Sequence, residues 1–225
     1  MATTSPDCIL LVEGEADRAF FEQVCGVLGL NTSVKVSPPK DFAGSHNSKE
    51  GIFNHLPDLL VQLADGGITR LAVVVDADSA ANGGGYERAI NRVEKIVEPY
   101  GFVLAAHAVG GIVFQHNDGL ADFGLWVMPN NADEGMLEDW IKHSIHPDEK
   151  RLFAHAEAVV ATLPQPPKFK PIHRSKAEVA TWLAWQKQPG HGTYRAVEDG
   201  LIDTISTHYQ NLTAWLRHVY CPSQD

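Results

Sequence analysis

The chain has 225 residues, 44% hydrophobic and 20% charged, enough for one sizeable core or an α/β domain with a helical appendix, and far from a disordered composition. Its 28 acidic residues against 18 Lys and Arg give a formal net charge of -10. That balance argues against tight binding of bare nucleic acid by the chain alone, and a nucleic-acid substrate would need metal ions, a local basic patch or a basic partner. Cys8, Cys25 and Cys221 are too few and too scattered for a disulfide framework or a zinc centre. No apolar run approaches the roughly 18 residues of a membrane span, and Met1-Ala2-Thr3-Thr4-Ser5 lacks the basic and apolar regions of a signal peptide, so a soluble cytoplasmic protein without membrane contact is expected.

In chain order, Ile9 to Val12 reads as a strand, followed by Phe20, Phe21, Val24, Val27 and Leu28 at helical spacing and a stop at Gly29. Val34-Lys35-Val36 is a short second strand. Leu59, Leu60 and Leu63 mark a second helix, with Pro57 suited to its first turn and an end near Gly66-Gly67. A strand at Leu71 to Val75 precedes a helix from about Tyr86 to Val97. Phe102 to Leu104 and Phe123 to Met128 are further strands, the latter closed by Pro129 and leading to a helix with Met136, Leu137, Trp140 and Ile141.

The register changes at the stiff, extended run Pro164 to Pro171. Beyond it, Ser175 and Glu178 have the spacing of a capping box, which predicts a helix starting at Lys176 and including Val179, Trp182 and Leu183. Ile202, Ile205, Tyr209, Leu212, Leu216 and Val219 form the stripe of a last helix. The expectation is an α/β domain over residues 1–163, a mainly parallel sheet flanked by helices, with residues 164–225 as a Pro-rich connector and C-terminal helical extension packed on it.

Two apolar runs end in acids: Val12-Glu13-Gly14 and Val75-Asp76-Ala77-Asp78. Acids converging at the carboxyl edge of a parallel sheet repel each other unless a divalent cation neutralises them, which makes these residues a candidate Mg²⁺ site, with Mn²⁺ as a substitute. Asp17, four residues after Glu13, fits either this site or a helix N-cap. Asp78 fits a ligand, projecting to the same side as Asp76 if the chain stays extended, or a turn former. Glu13 and Asp76 have no routine structural job at a strand end. Glu138 and Asp139 face away from their helix's apolar stripe, either towards the acids or into solvent. Lys176 in a first helical turn opposes the helix dipole, a mild sign of function against the reading of a surface lysine. Gly83-Gly84-Gly85 is a mobile loop or a linker, without the Lys and Ser/Thr of a phosphate loop. The 11 histidines, His107, His173 and His191 among them, show no metal-ligand spacing.

VEG with Asp17, followed by DAD, on alternating strands and helices, resembles the Toprim domain of topoisomerases, bacterial primases and overcoming-lysogenisation-defect nucleases. Gly124 to Asn131, Gly135-Met136-Leu137-Glu138-Asp139, and Ser175-Lys176 with Thr181 to Gln186 look like an uncharacterised bacterial Toprim-like family. The resemblance implies a Toprim-like fold in which Glu13 transfers a proton or holds a metal, Asp76 and Asp78 bind Mg²⁺, and Lys176 is the lysine near the metals. It further implies a Mg²⁺-dependent nuclease acting on DNA or RNA, a role in anti-phage defence, and an ABC-type ATPase as partner. Its rivals are another Toprim nucleotidyl-transfer activity and a non-catalytic regulatory subunit. Oligomeric state is not implied.

Overall fold

The computed structural model describes residues 7–36, 49–105 and 110–221. Its centre is a six-stranded sheet in the order β2-β1-β3-β6-β5-β4. The strands are β1 (Asp7–Val12), β2 (Ser33–Val36), β3 (Ile68–Asp76), β4 (Phe102–Leu104), β5 (Ile112–His116) and β6 (Phe123–Met128). The pairs β1–β2, β1–β3 and β3–β6 are parallel, whereas β5 runs antiparallel to both β6 and β4. The expected α/β class and mainly parallel sheet are therefore present, and the arrangement agrees with a Toprim-like fold. His107 lies outside the described residues.

The central strands are apolar on both faces because both faces are covered. Ile9 and Leu11, Leu71, Val73 and Val75, and Phe123, Leu125 and Val127 point to one side. There they meet α2 (Lys49–Ala64) and α3 (Tyr86–Val97) through Ile52, Leu56, Leu60, Ile90 and Val93. The intervening residues Leu10, Val12, Ala72, Val74, Trp126 and Met128 face the other layer. That layer contains α1 (Glu15–Leu28), α4 (Leu137–His143), α5 (Lys150–Ala161), α6 (Arg174–Ala184), the short α7 (Tyr194–Glu198) and α8 (Thr207–Tyr220).

From β1 the chain passes by α1 to β2 on one side, and from β2 by α2 to β3 on the other side of β1. Strand order therefore reverses between β1 and β3. In an open α/β sheet this is where the carboxyl ends leave a crevice, because the flanking helices depart to opposite faces. Glu13 and Asp76 stand at the ends of these two strands.

Several boundaries differ from the sequence reading. Pro57 lies inside α2 rather than in its first turn. A proline there gives up a backbone hydrogen bond, and burial of Ile52, Phe53 and Leu56 before it and Leu59, Leu60 and Leu63 after it offsets the loss. Helix α6 starts at Arg174 with His173 at its cap, so Ser175 and Glu178 are not a capping box. Ile202 and Ile205 precede α8: Ile202 makes a bridge with Ile145, and Ile205 is 84% exposed. Strand β5 and helix α5 are additional elements. Among the described residues, no helix is long and apolar enough to cross a membrane.

Candidate functional site

Glu13 leaves β1 and turns across to β3, where its Oε1 accepts a hydrogen bond of 2.9 Å from the backbone N–H of Asp76. Asp76 ends β3, and its Oδ1 accepts from the N–H of Leu137, the first residue of α4, at 3.2 Å. Asp17 sits in the first turn of α1, where Gly14 rather than Asp17 is the N-cap; its carboxylate accepts from the Gly14 N–H, so it serves that helix end from inside while also facing the other acids.

Glu138 is only 7% exposed, which overturns the solvated-face reading. Both of its oxygens accept from Lys176 Nζ at 2.9 Å. Asp139 has a structural job: Oδ2 accepts from the N–H of Met136 at 2.9 Å, and Oδ1 accepts from the Ser175 hydroxyl. Gly135, at φ 142°, makes room for it, because a Cβ there would stand 2.7 Å from Asp139 Oδ2. Helix α6 is held against α4 by a second buried carboxylate, Glu178, which accepts from Lys142 Nζ and Arg174 Nε at 2.6 Å each. That pairing places Ser175 and Lys176 opposite Asp139 and Glu138.

Asp78 differs from its expected setting. Strand β3 stops at Asp76, and Asp78 has φ 60°, so the extended chain that would aim both carboxylates to one side is broken. Its N–H donates to the carbonyl of Gly135 at 3.0 Å, and its carboxylate takes a short ion pair from Lys49 of α2. Gly83 to Gly85 form a tight linker, with the N–H of Gly84 donating to Ser79 and that of Gly85 to Ala77. Lys49 has no local sequence signal that would have found it, since its partners come from strands far away in the chain.

Burial dominates the electrostatics. It pushes the Glu13 carboxyl up to about 7, with Asp78 and Asp17 raising it further, against the Lys49 charge and the Asp76 N–H. Asp17 is pushed up to about 6 by burial and by Glu138, partly offset by Lys176. Asp76 lies well above the usual carboxylate range, because it is buried and faces Glu13 and Asp17. Burial pulls the Lys176 ammonium down, but Glu138, Asp76 and Asp17 outweigh it and hold the group above its ordinary value.

Glu13, Asp17, Asp76, Glu138 and Lys176 are thus within one electrostatic neighbourhood, and Asp78 with Lys49 joins it through Glu13. Among the described residues no three His, Cys, Asp or Glu side chains stand as a ready-made ligand set. The chemistry of the donors nonetheless fits a hard cation: they are carboxylate oxygens, without imidazole or thiolate. The raised proton affinities of Glu13, Asp17 and Asp76 come first from burial and then from neighbouring acids, and a divalent ion would favour their charged forms.

Fold and site define an α/β protein with a mainly parallel sheet that gathers buried acids, balanced by lysines, at the switch point of its strands. The chain belongs to the family described as "Protein of unknown function (DUF3226)", whose model matches residues 7–221. No curated protein and no solved structure matches it.

Proposed function

We propose that the protein is a Mg²⁺-dependent nuclease that hydrolyses phosphodiesters of DNA or RNA. The observation that carries this reading is the buried cluster of Glu13, Asp17, Asp76 and Glu138 beside Lys176, at the reversal of strand order. Glu13, Asp17, Asp76 and Glu138 would hold the metal, with Asp78 at the flank. When bound, Mg²⁺ supplies charge stabilisation for the phosphate oxygens. Glu13, at the end of β1 with its carboxylate turned to the Asp76 N–H, would either hold the metal or accept a proton from an attacking water. Lys176, charged and donated to Glu138, supplies a positive group for a phosphate. The reading includes a cytoplasmic setting, a role as effector in anti-phage defence, and an ABC-type ATPase as partner. The net charge of -10 supports a partner that helps to recruit the polyanion.

The test is Mg²⁺-dependent cleavage of DNA and of total RNA by wild type, Glu13→Ala and Asp76→Ala. Both variants are expected to lose at least about 100-fold in rate, the scale of a lost acid–base group. Wild-type rates in both variants would remove the site assignment. A second reading, a non-catalytic regulatory subunit, draws on the lysine pairing of Glu138 and Asp78. Absence of cleavage by wild type, with and without an ATPase partner, would favour it.

A further inference from the structure

A cleft of about 310 Å³ opens on the α2–α3 side of Asp78, lined among others by Lys49, Asp78, Gly84, Arg88, Arg92 and Ile172. Its volume is at the lower end of the roughly 300–1,000 Å³ of small-ligand sites. Arg88 and Arg92 lie four residues apart on α3 and share a helix face, where two like charges repel. Arg92 is tied down, with its guanidinium 4.3 Å above the Phe53 ring and an ion pair to Glu50. Arg88 is exposed and has no ion-pair or hydrogen-bond partner among the described residues. Lys49 and Arg92 are thus paired with Asp78 and Glu50, and Arg88 is left as the cleft's unneutralised cation in a chain whose net charge is -10.

The cleft adjoins the acid site through Asp78 and Lys49. A Cβ on Gly84 would come within 2.7 Å of both Ala77 O and Asp78 Cβ, so the glycine loop that forms the wall lies directly on the Asp76-Ala77-Asp78 segment. Lys49 belongs to both places, since it pairs with Asp78 in the cleft and acts on the Glu13 carboxyl. Beside the buried acids the cleft therefore offers a positive group, Arg88, to an anion. We propose that this cleft binds a backbone phosphate of the nucleic-acid strand, next to the phosphate presented to the acid cluster, with Arg88 as its principal contact. The inference rests on the nuclease reading and gives the strand its path, from the α2–α3 face towards Glu13.

The test is fluorescence anisotropy with a labelled 12-nucleotide single strand, as DNA and as RNA, in low salt with EDTA, where binding is read without cleavage. Arg88→Glu is expected to weaken binding roughly tenfold, and Arg88→Glu with Arg92→Ala further. The slope of log K against log salt should fall by about 0.7 per lost contact. Circular dichroism and thermal melting check that the variants fold; Arg88→Lys, which keeps the charge, should retain most of the affinity. Unchanged affinity in the double variant, or no binding by wild type, overturns the proposal. Inorganic phosphate competing as strongly as the oligonucleotide would also overturn it, since the occupant would then be a free anion. A protein that binds through Arg88 yet never cuts keeps the cleft and loses the nuclease reading. One that cuts with unchanged affinity in Arg88→Glu loses the cleft alone.

Discussion

Glu13 carries two burdens: its carboxylate accepts the Asp76 N–H, and it is buried among other acids. Its folded-state pKa of about 7 exceeds the ordinary 4.5, so the folded protein binds the proton more tightly than the unfolded chain. Such a group is neutral in both states below about 4.5, and it costs stability progressively as pH rises towards 7. In metal-free protein, Glu13→Gln keeps an oxygen for the Asp76 N–H and removes the charge. The melting temperature of the variant relative to wild type is therefore expected to rise between pH 4.5 and 7.5, and the corresponding gain in stability has an upper limit of about 3.4 kcal/mol. A difference independent of pH would show that Glu13 is not held against its charge. Asp17 has the same sign over a lower window, up to about 6. Asp139, adjacent to a site acid, is by contrast a cap and a hydrogen-bond partner for Ser175, and the two neighbours in sequence serve different ends.

At the scale of elements, α4 and α6 present Glu138 and Lys176 to each other because Glu178 joins them. Burial would raise the Glu178 carboxyl, but the hydrogen bonds from Lys142 and Arg174 outweigh it and hold the group below its ordinary value. Glu178→Ala leaves Lys142, which also reaches Glu157 at 3.2 Å, without its closest partner. Destabilisation by about 2 kcal/mol is expected, the scale of hydrogen bonds to a charged group, since Lys142 keeps Glu157 and Arg174 is largely exposed. The sign with pH follows from the lowered value: the gap between wild type and variant in urea denaturation should persist at neutral pH and shrink as pH falls through the carboxylate range. A gap that widens in acid would contradict the assignment. Some of this level was legible in the sequence. The helices α1 and α3 show a clear apolar stripe, and Ile9 to Val12 of β1, Leu71 to Val75 of β3 and Phe123 to Met128 of β6 are apolar runs. Strand β5 was not, because Ile112-Val113-Phe114 follows two glycines and ends in Gln115 and His116, so its short run has no contrast with a loop.

For the whole molecule, the last helix is part of the core. Trp215 is fully buried, packs on Trp126 and donates through Nε1 to the Ile112 carbonyl at 3.1 Å. Tyr220 donates to the Ile9 carbonyl at 2.8 Å, so α8 reaches both β5 and β1. Glycine permits the approach: a Cβ on Gly111 would lie 2.1 Å from Trp215 Cδ1. Trp215→Ala is expected to cost about 3–5 kcal/mol. A chain ending at Ser206 should lose its cooperative unfolding transition altogether, as read by urea titration with circular dichroism. A sharp transition in the shortened chain would make α8 an accessory.

By itself, the sequence determined the α/β class and placed Glu13 and Asp76 at strand ends, because an acid that terminates an unbroken apolar run has few other locations. Only the tertiary structure decided the companions of those acids. Lys49 reaches Asp78, Lys176 reaches Glu138, and Arg88 stands beside the glycine loop through chain crossings and helix packing, which local spacing does not encode. It also separated Asp78 from Asp76, since one left-handed residue after the strand redirects a carboxylate that an extended chain would have aligned.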